Sequence, residues 1–258
     1  MNGVTLRLGL CSVTLRHLDV DGVLAAAVEA GLECVEWGAD VHVPAGDEAA
    51  AVRARGATEE AGLAVASYGS YYRAGRTDPA EFDGVLRSAV LLGAPRIRIW
   101  AGVTGTEEAS AEERAAVVED TRRAAELAAD AGVYLAYEFH RNTLTDGADR
   151  VLRLLEEVGR PDVLTYWQPP LDVPDSDALL GLDAVIDGVA AVHAFSWWPG
   201  TTRRPLSARA ELWGGVLSRL RAGGGSGGGL MDVLLEFVPG DDEGILAREA
   251  RTLRGVGE

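Results

Sequence analysis

The sequence predicts a single-domain (β/α)8 barrel spanning residues 1–258, and three observations carry that reading. Short β-branched or apolar runs alternate with longer Ala/Leu/Glu/Arg segments of helical period along the whole chain, without a break in composition. Eight such pairs fit within 258 residues, which is the arithmetic of this barrel. No GxGxxG follows the first strand, where an open, dinucleotide-binding sheet would usually carry one.

Strands are expected at 5–11, 33–37, 63–68, 96–100, 133–138, 163–168, 189–195 and 232–238, with helices near 20–30, 47–61, 79–92, 110–131, 147–158, 175–187, 207–221 and 241–255. Boundary chemistry supports several of them. Gly31, Gly62, Gly93 and Gly132 each stand where a helix should end and a strand soon begin, the usual place of a left-handed cap. Asp78-Pro79 reads as an N-cap followed by a first-turn proline, and Ser110 with Glu113 has capping-box spacing. In "VLTYWQPP", two prolines end the sixth strand abruptly. The glycine-rich stretch 223–229 runs from the seventh helix into the eighth strand, so it is expected as a flexible surface loop on the barrel's N-terminal face, away from the chemistry.

With 47% hydrophobic and 25% charged residues, the composition is that of a globular protein able to bury its own core. A net charge of −16 disfavours nucleic acid and anionic membranes, both of which are held through clustered Lys and Arg. No apolar run approaches the roughly 20 residues of a membrane span. Two cysteines, Cys11 and Cys34, make no disulfide framework, and "MNGVTLRLGL" lacks the features of a secretory signal, so a cytoplasmic protein with free thiols is expected.

Barrels of this kind place catalytic groups at the C-terminal strand ends. Those ends read Glu36-Trp37, Tyr68 with Tyr71 and Tyr72 beyond, Arg98-Ile99-Trp100, Tyr137-Glu138-Phe139-His140, Trp167-Gln168, His193 then Trp197-Trp198, and Glu236-Phe237. Glu138, His193 and Glu236 occupy equivalent ends of strands five, seven and eight, each preceded by apolar residues. Two unpaired buried carboxylates would cost several kcal/mol each, so a cation or a shared proton is required, and a divalent metal is the economical answer.

"AYEFH", "VHAFS" and "LLEFV" on strands five, seven and eight, with "GAPRIRIWAG" on strand four and "NTLTD" after strand five, resemble the xylose-isomerase-like barrel superfamily of sugar isomerases and epimerases. The resemblance covers nearly the whole chain. It implies a divalent-ion site formed by Glu138, Gln168, His193 and Glu236, with Mn2+, Mg2+ or Co2+ favoured over Zn2+. At the strand-six tip the family commonly has an aspartate, and often a histidine three residues later, where this chain has Gln168 and Leu171. A neutral amide leaves two glutamates to balance a 2+ ion, so the metal should be held less tightly and polarise substrate more strongly; alternatively, Gln168 binds substrate and the site holds no metal.

Such a site implies isomerisation or epimerisation of a small carbohydrate by proton transfer through a metal-stabilised enediolate, with Glu138 and Glu236 as acid and base. His140, Arg98 and Arg203 are candidates for binding substrate oxygens or an anionic group. Trp100, Trp167 and Trp197 are candidates for packing on a sugar ring. A metal-dependent lyase or dehydratase, or a non-catalytic sugar-binding barrel that has lost its metal, remains open. The abasic-site endonuclease branch needs a histidine-rich zinc cluster and a basic face, which four histidines and −16 charge exclude. Related barrels often pair, and the loops after strands three and seven are the candidate contacts of a homodimer.

Overall fold

The computed structural model describes residues 4–223 and 229–255. In chain order the strands are β1 (Thr5–Cys11), β2 (Cys34–Gly38), β3 (Ala64–Arg73), β4 (Arg96–Trp100), β5 (Tyr134–Tyr137), β6 (Val163–Trp167), β7 (Val189–Ala194), β8 (Ser196–Trp197), β9 (Arg203–Arg204) and β10 (Leu230–Leu235). Eight of them close into a barrel in the order β1-β10-β7-β6-β5-β4-β3-β2, every pair parallel. Helices α1 (Val20–Glu29), α2 (Glu48–Glu60), α3 (Phe82–Leu92), α4 (Ala111–Asp130), α5 (Ala148–Val158), α6 (Asp175–Val185), α7 (Ala210–Arg221) and α8 (Leu246–Gly255) follow the successive barrel strands.

Each expected element is present, β1 and β4 at the expected residues and the others with shifted ends. β3 runs on to Arg73, which pairs with Trp100. The last helix begins at Leu246, after two short 3-10 turns. The β8/β9 hairpin, absent from the sequence reading, stands at the rim beyond β7. Of the glycine-rich stretch, residues 224–228 lie outside the described residues. No helix among the described residues is long and apolar enough to cross a membrane, and both cysteines are free and buried.

The caps behave as their chemistry dictates. Gly93 ends α3 at φ 74, and Gly31, Gly62 and Gly132 also take positive φ. At α4, the Glu113 amide donates to Ser110 Oγ at 3.1 Å and the Ser110 amide donates to Glu113 Oε2 at 2.8 Å, a reciprocal box. Ser110→Ala should therefore cost about 1 kcal/mol, read as a lower urea midpoint with an unchanged slope.

Inside the barrel, small residues make room for long polar ones. Cys34, Ala66, Ala136 and Ala191 pack with Tyr166 and Leu234, and among the strands Asp232 accepts from Arg7 Nε and Arg96 Nη2, both at 2.6 Å. Arg96 Nε donates to Tyr166 Oη at 3.0 Å, and Tyr166 Oη donates to Glu36 at 2.8 Å. A polar chain thus runs up the axis to the mouth.

Candidate active site

The strand ends deliver their side chains at the first residue past the ladder. Glu138 follows β5 and is fixed by its amide donating to Ile99 O at 2.9 Å, while Thr145 Oγ1 donates to Glu138 O at 2.6 Å. Glu236 follows β10, its amide donating to Ala194 O at 3.1 Å. Gln168 follows β6, ahead of Pro169-Pro170. Phe237 takes φ 46, an uncommon backbone for a bulky residue, with its amide donating to Thr14 Oγ1 at 3.0 Å. Left-handed backbone of this kind concentrates at functional sites.

A cavity of about 560 Å3 opens at this end, walled by Arg98, Trp100, Glu138, His140, Gln168, Trp197, Glu236 and Phe237, with Arg141 and Asp172 among its other lining residues. β5 and β10, which carry the two glutamates, are separated in the barrel by β6 and β7, whose Gln168 and His193 lie between them. The Trp100 ring carries the stacked His140 ring at 4.6 Å and the Arg73 guanidinium at 3.7 Å.

His193, fully buried in β7, is the hub. Its Nδ1 lies 3.2 Å from Gln168 Oε1 and 3.4 Å from Glu236 Oε2. Its Nε2 lies 3.3 Å from Glu36 Oε1 without hydrogen-bonding alignment, and is a buried polar atom with no partner. Burial disfavours the imidazolium, but the charges of Glu236 and Glu36 outweigh this and raise its pKa. Burial also lifts the Glu236 carboxyl above its usual range, against the opposing pull of His193.

Glu36 accepts from Ser67 Oγ at 2.6 Å, Tyr166 Oη at 2.8 Å, Arg98 Nε at 2.9 Å and Cys11 Sγ at 3.2 Å. Burial works against its charge, and the charges of Arg98 and His193 more than offset it, holding the carboxyl well below the ordinary range. Arg98 reaches from Glu36 to Glu138 Oε2, which also accepts from Trp100 Nε1.

Of the residues proposed from sequence, Glu138, Gln168, Glu236, His140, Arg98, Trp100 and Trp197 line the one cavity, with His193 against Gln168 and Glu236. Two are placed elsewhere. Trp167 is fully buried and packs edge-on against Trp213 of α7, because successive strand residues face opposite sides and Tyr166 takes the inward one. Arg203 sits on the rim hairpin, paired with Asp241 at 2.5 Å over the Phe237 ring, and does not line the cavity. Arg98 lines the cavity, yet its guanidinium is already engaged by Glu36 and Glu138. Glu36, read from sequence only as a strand tip, is the buried hydrogen-bond partner of Arg98 and stands 3.3 Å from His193 Nε2; a carboxylate inside an apolar strand was its signal.

Three donors here fit a hard divalent cation. Bonds of about 2.1 Å in an octahedron set neighbouring ligand atoms about 3 Å apart, close to the spacing of His193 Nδ1 from Gln168 Oε1 and Glu236 Oε2. Glu36 Oε1, 3.3 Å from Nε2, places a carboxylate on the far side of the ring from those donors. Cys11, Glu36 and His193 also form a buried group with donor atoms within 4.8 Å of one another, and could bind a metal. Burial and Glu36 push the Cys11 thiol well up, so that group would require a costly deprotonation.

A closed parallel barrel with a carboxylate-rich pocket at its C-terminal mouth defines the architecture of a small-molecule site. The chain belongs to the xylose isomerase-like TIM barrel family, whose model matches residues 24–170. A 3-dehydroshikimate dehydratase of Bacillus anthracis is 27% identical over 188 residues, 66% of this chain and 66% of the relative, just under two thirds of that protein's length. Among solved structures, the probable 3-DHS dehydratase of Bacillus anthracis superposes with a TM-score of 0.78 at 20% identity, covering 96% of this chain and 98% of that one. D-allulose 3-epimerase from Methylomonas sp. gives 0.69 at 19% identity, covering 99% of each chain.

Proposed function

We propose that this protein is an isomerase or epimerase that moves a proton at the carbon beside a carbonyl of a small polyhydroxylated substrate, assisted by a divalent cation. The observation that carries this reading is the pair Glu138 and Glu236 in one cavity, on strands separated by the two that bring Gln168 and His193. One carboxylate takes the proton from carbon and the other serves as its counterpart on return. When bound, a divalent cation supplies stabilisation of the negative charge that develops on the substrate oxygen. Gln168, His193 and Glu236 would hold it. Trp197, and His140 stacked on Trp100, offer flat faces to a ring-sized substrate and keep water from the reacting carbon. The sequence contains no lysine, so an imine between a side-chain amine and the substrate carbonyl is not open to this chain, and carbon acidity must come from charge stabilisation instead.

A second reading is favoured by the dehydratase relative: the same carboxylate removes the proton, and a β-hydroxyl then leaves in place of reprotonation. Both are tested by incubating the Mn2+-supplemented protein with ketoses, aldoses, inososes, their phosphates and cyclic hydroxy-ketoacids in D2O. Carbon-bound deuterium in recovered substrate or its epimer supports isomerisation; a new unsaturated chromophore supports dehydration. Neither signal across the panel, with ligand affinity unchanged in Glu138→Gln and Glu236→Gln, would sink the enzyme reading.

A further inference from the structure

Three arginines line the cavity at the strand ends, and two of them are already engaged. Arg98 Nε donates to Glu36 at 2.9 Å. Arg16 pairs with Asp40, and its Nη2 donates to Tyr71 Oη at 2.9 Å. The third, Arg141, is exposed, and its guanidinium has no hydrogen bond or ion pair among the described residues. The two aspartates of the same lining take their hydrogen bonds elsewhere. Asp146 accepts from the Thr106 amide at 3.0 Å and from Thr106 Oγ1 at 2.8 Å, and Asp172 accepts from the Gly200 amide at 2.7 Å.

An arginine in an open surface loop needs no partner but water. Arg141 instead follows Glu138 by three residues, on a turn whose backbone is braced from several sides. Its carbonyl accepts from His140 Nδ1 at 2.6 Å, Thr143 Oγ1 donates to His140 O at 2.6 Å, and the His140 amide donates to Thr145 O at 3.2 Å. Asn142, next along, takes φ 59, a left-handed backbone that asparagine tolerates better than most residues. Stacking of His140 on Trp100 ties the turn to the cavity wall. The backbone is fixed while the guanidinium keeps all its donors for a ligand.

Charge gives that ligand its sign. A chain of net charge −16 repels anions at long range, so an anionic ligand needs an unneutralised cation at the site itself. The planar fork of a guanidinium matches a carboxylate or a phosphate with paired hydrogen bonds. We infer that Arg141 is a specificity-determining residue that binds an anionic substituent, carboxylate or phosphate, of the substrate on which Glu138 and Glu236 act. The inference rests on the proton-transfer reading above and narrows its substrate class to acidic or phosphorylated polyhydroxylated molecules.

The test uses three sugars that differ only at C6: D-glucose, D-glucuronate and D-glucose 6-phosphate. Each is titrated calorimetrically into full-length wild type, Arg141→Gln and Arg141→Lys, with Mn2+ present and after chelator treatment, and melting temperatures are measured on each protein. Wild type should bind at least one of the anions about tenfold or more tightly than glucose, the scale of a hydrogen bond to a charged group. That preference should persist without Mn2+, shrink in added NaCl, fall to about twofold or less in Arg141→Gln, and be partly kept by Arg141→Lys. The anion with the larger Arg141-dependent preference identifies the group bound. A preference undiminished in folded Arg141→Gln, one that vanishes on chelation, or glucose binding with no preference at all overturns this assignment alone. Wild type that binds none of the three sugars at tens of millimolar overturns the polyhydroxylated-substrate reading and the assignment together.

Discussion

Replacing Asp232 by asparagine should destabilise the protein by about 3–5 kcal/mol, the cost of leaving buried cations without their counter-charge. Asp232 is 3% exposed and Arg96 5%, and the carboxylate also accepts from Arg7. The amide keeps the shape and removes the charge, so the loss reports electrostatics and not a cavity. The acid limb of stability supplies the same information. Burial raises the Asp232 pKa, but the hydrogen bond from Arg7 and the charge of Arg96 outweigh it and hold the carboxyl below its usual range. A depressed acid contributes stability that is complete above the unfolded-state pKa, about 3.9 for aspartate, and disappears as pH falls through the lower folded value. Wild-type urea midpoints should therefore drop as pH falls below about 4, and the drop should be shallower in Asp232→Asn. Parallel acid limbs in the two proteins would refute the assignment.

This axial network marks the boundary of what sequence pattern conveys. Glu138, His193 and Glu236 were legible because each is a polar residue at the end of an apolar run, and a closed parallel barrel turns all such ends toward one mouth. Strand positions were legible because glycine caps and prolines punctuate them. Side-chain parity was not: Trp167 stands one residue before Gln168 at the same tip, yet faces α7, since proximity to a strand end does not say which side of the sheet a residue takes. The partnership of Glu36, Arg98 and Glu138 joins β2, β4 and the end of β5, and depends on the register that sets Gly69 opposite Arg98. Nothing local in any of those strands encodes it. Arg203 was misplaced for a related reason: two-residue strands such as β8 and β9 carry no periodicity, so the pairing that draws Arg203 to Asp241 left no pattern to read.

Glu138→Gln should lower turnover by about 10^2–10^4-fold, the range of a lost general acid or base, at saturating Mn2+ and with KM near that of the wild type. The glutamine still accepts from Arg98 and Trp100 but cannot take a proton, so the loss belongs to kcat. Glu236→Gln should fall by a comparable factor for two superimposed reasons, since Glu236 touches the ligand trio and lines the cavity. Manganese dependence separates them. If Glu236 served the cation alone, saturating Mn2+ would return turnover to near the wild-type level; an acid/base role predicts a residual deficit that no Mn2+ concentration repairs. The two variants also distinguish the chemistries. In an epimerase with one carboxylate on each face of the substrate carbon, Glu138→Gln should abolish solvent deuterium entry from one epimer and Glu236→Gln from the other, at saturating Mn2+. A dehydratase that uses Glu138 for the carbon proton and Glu236 for the departing hydroxyl predicts a different pair: deuterium entry lost only in Glu138→Gln, and elimination lost in both.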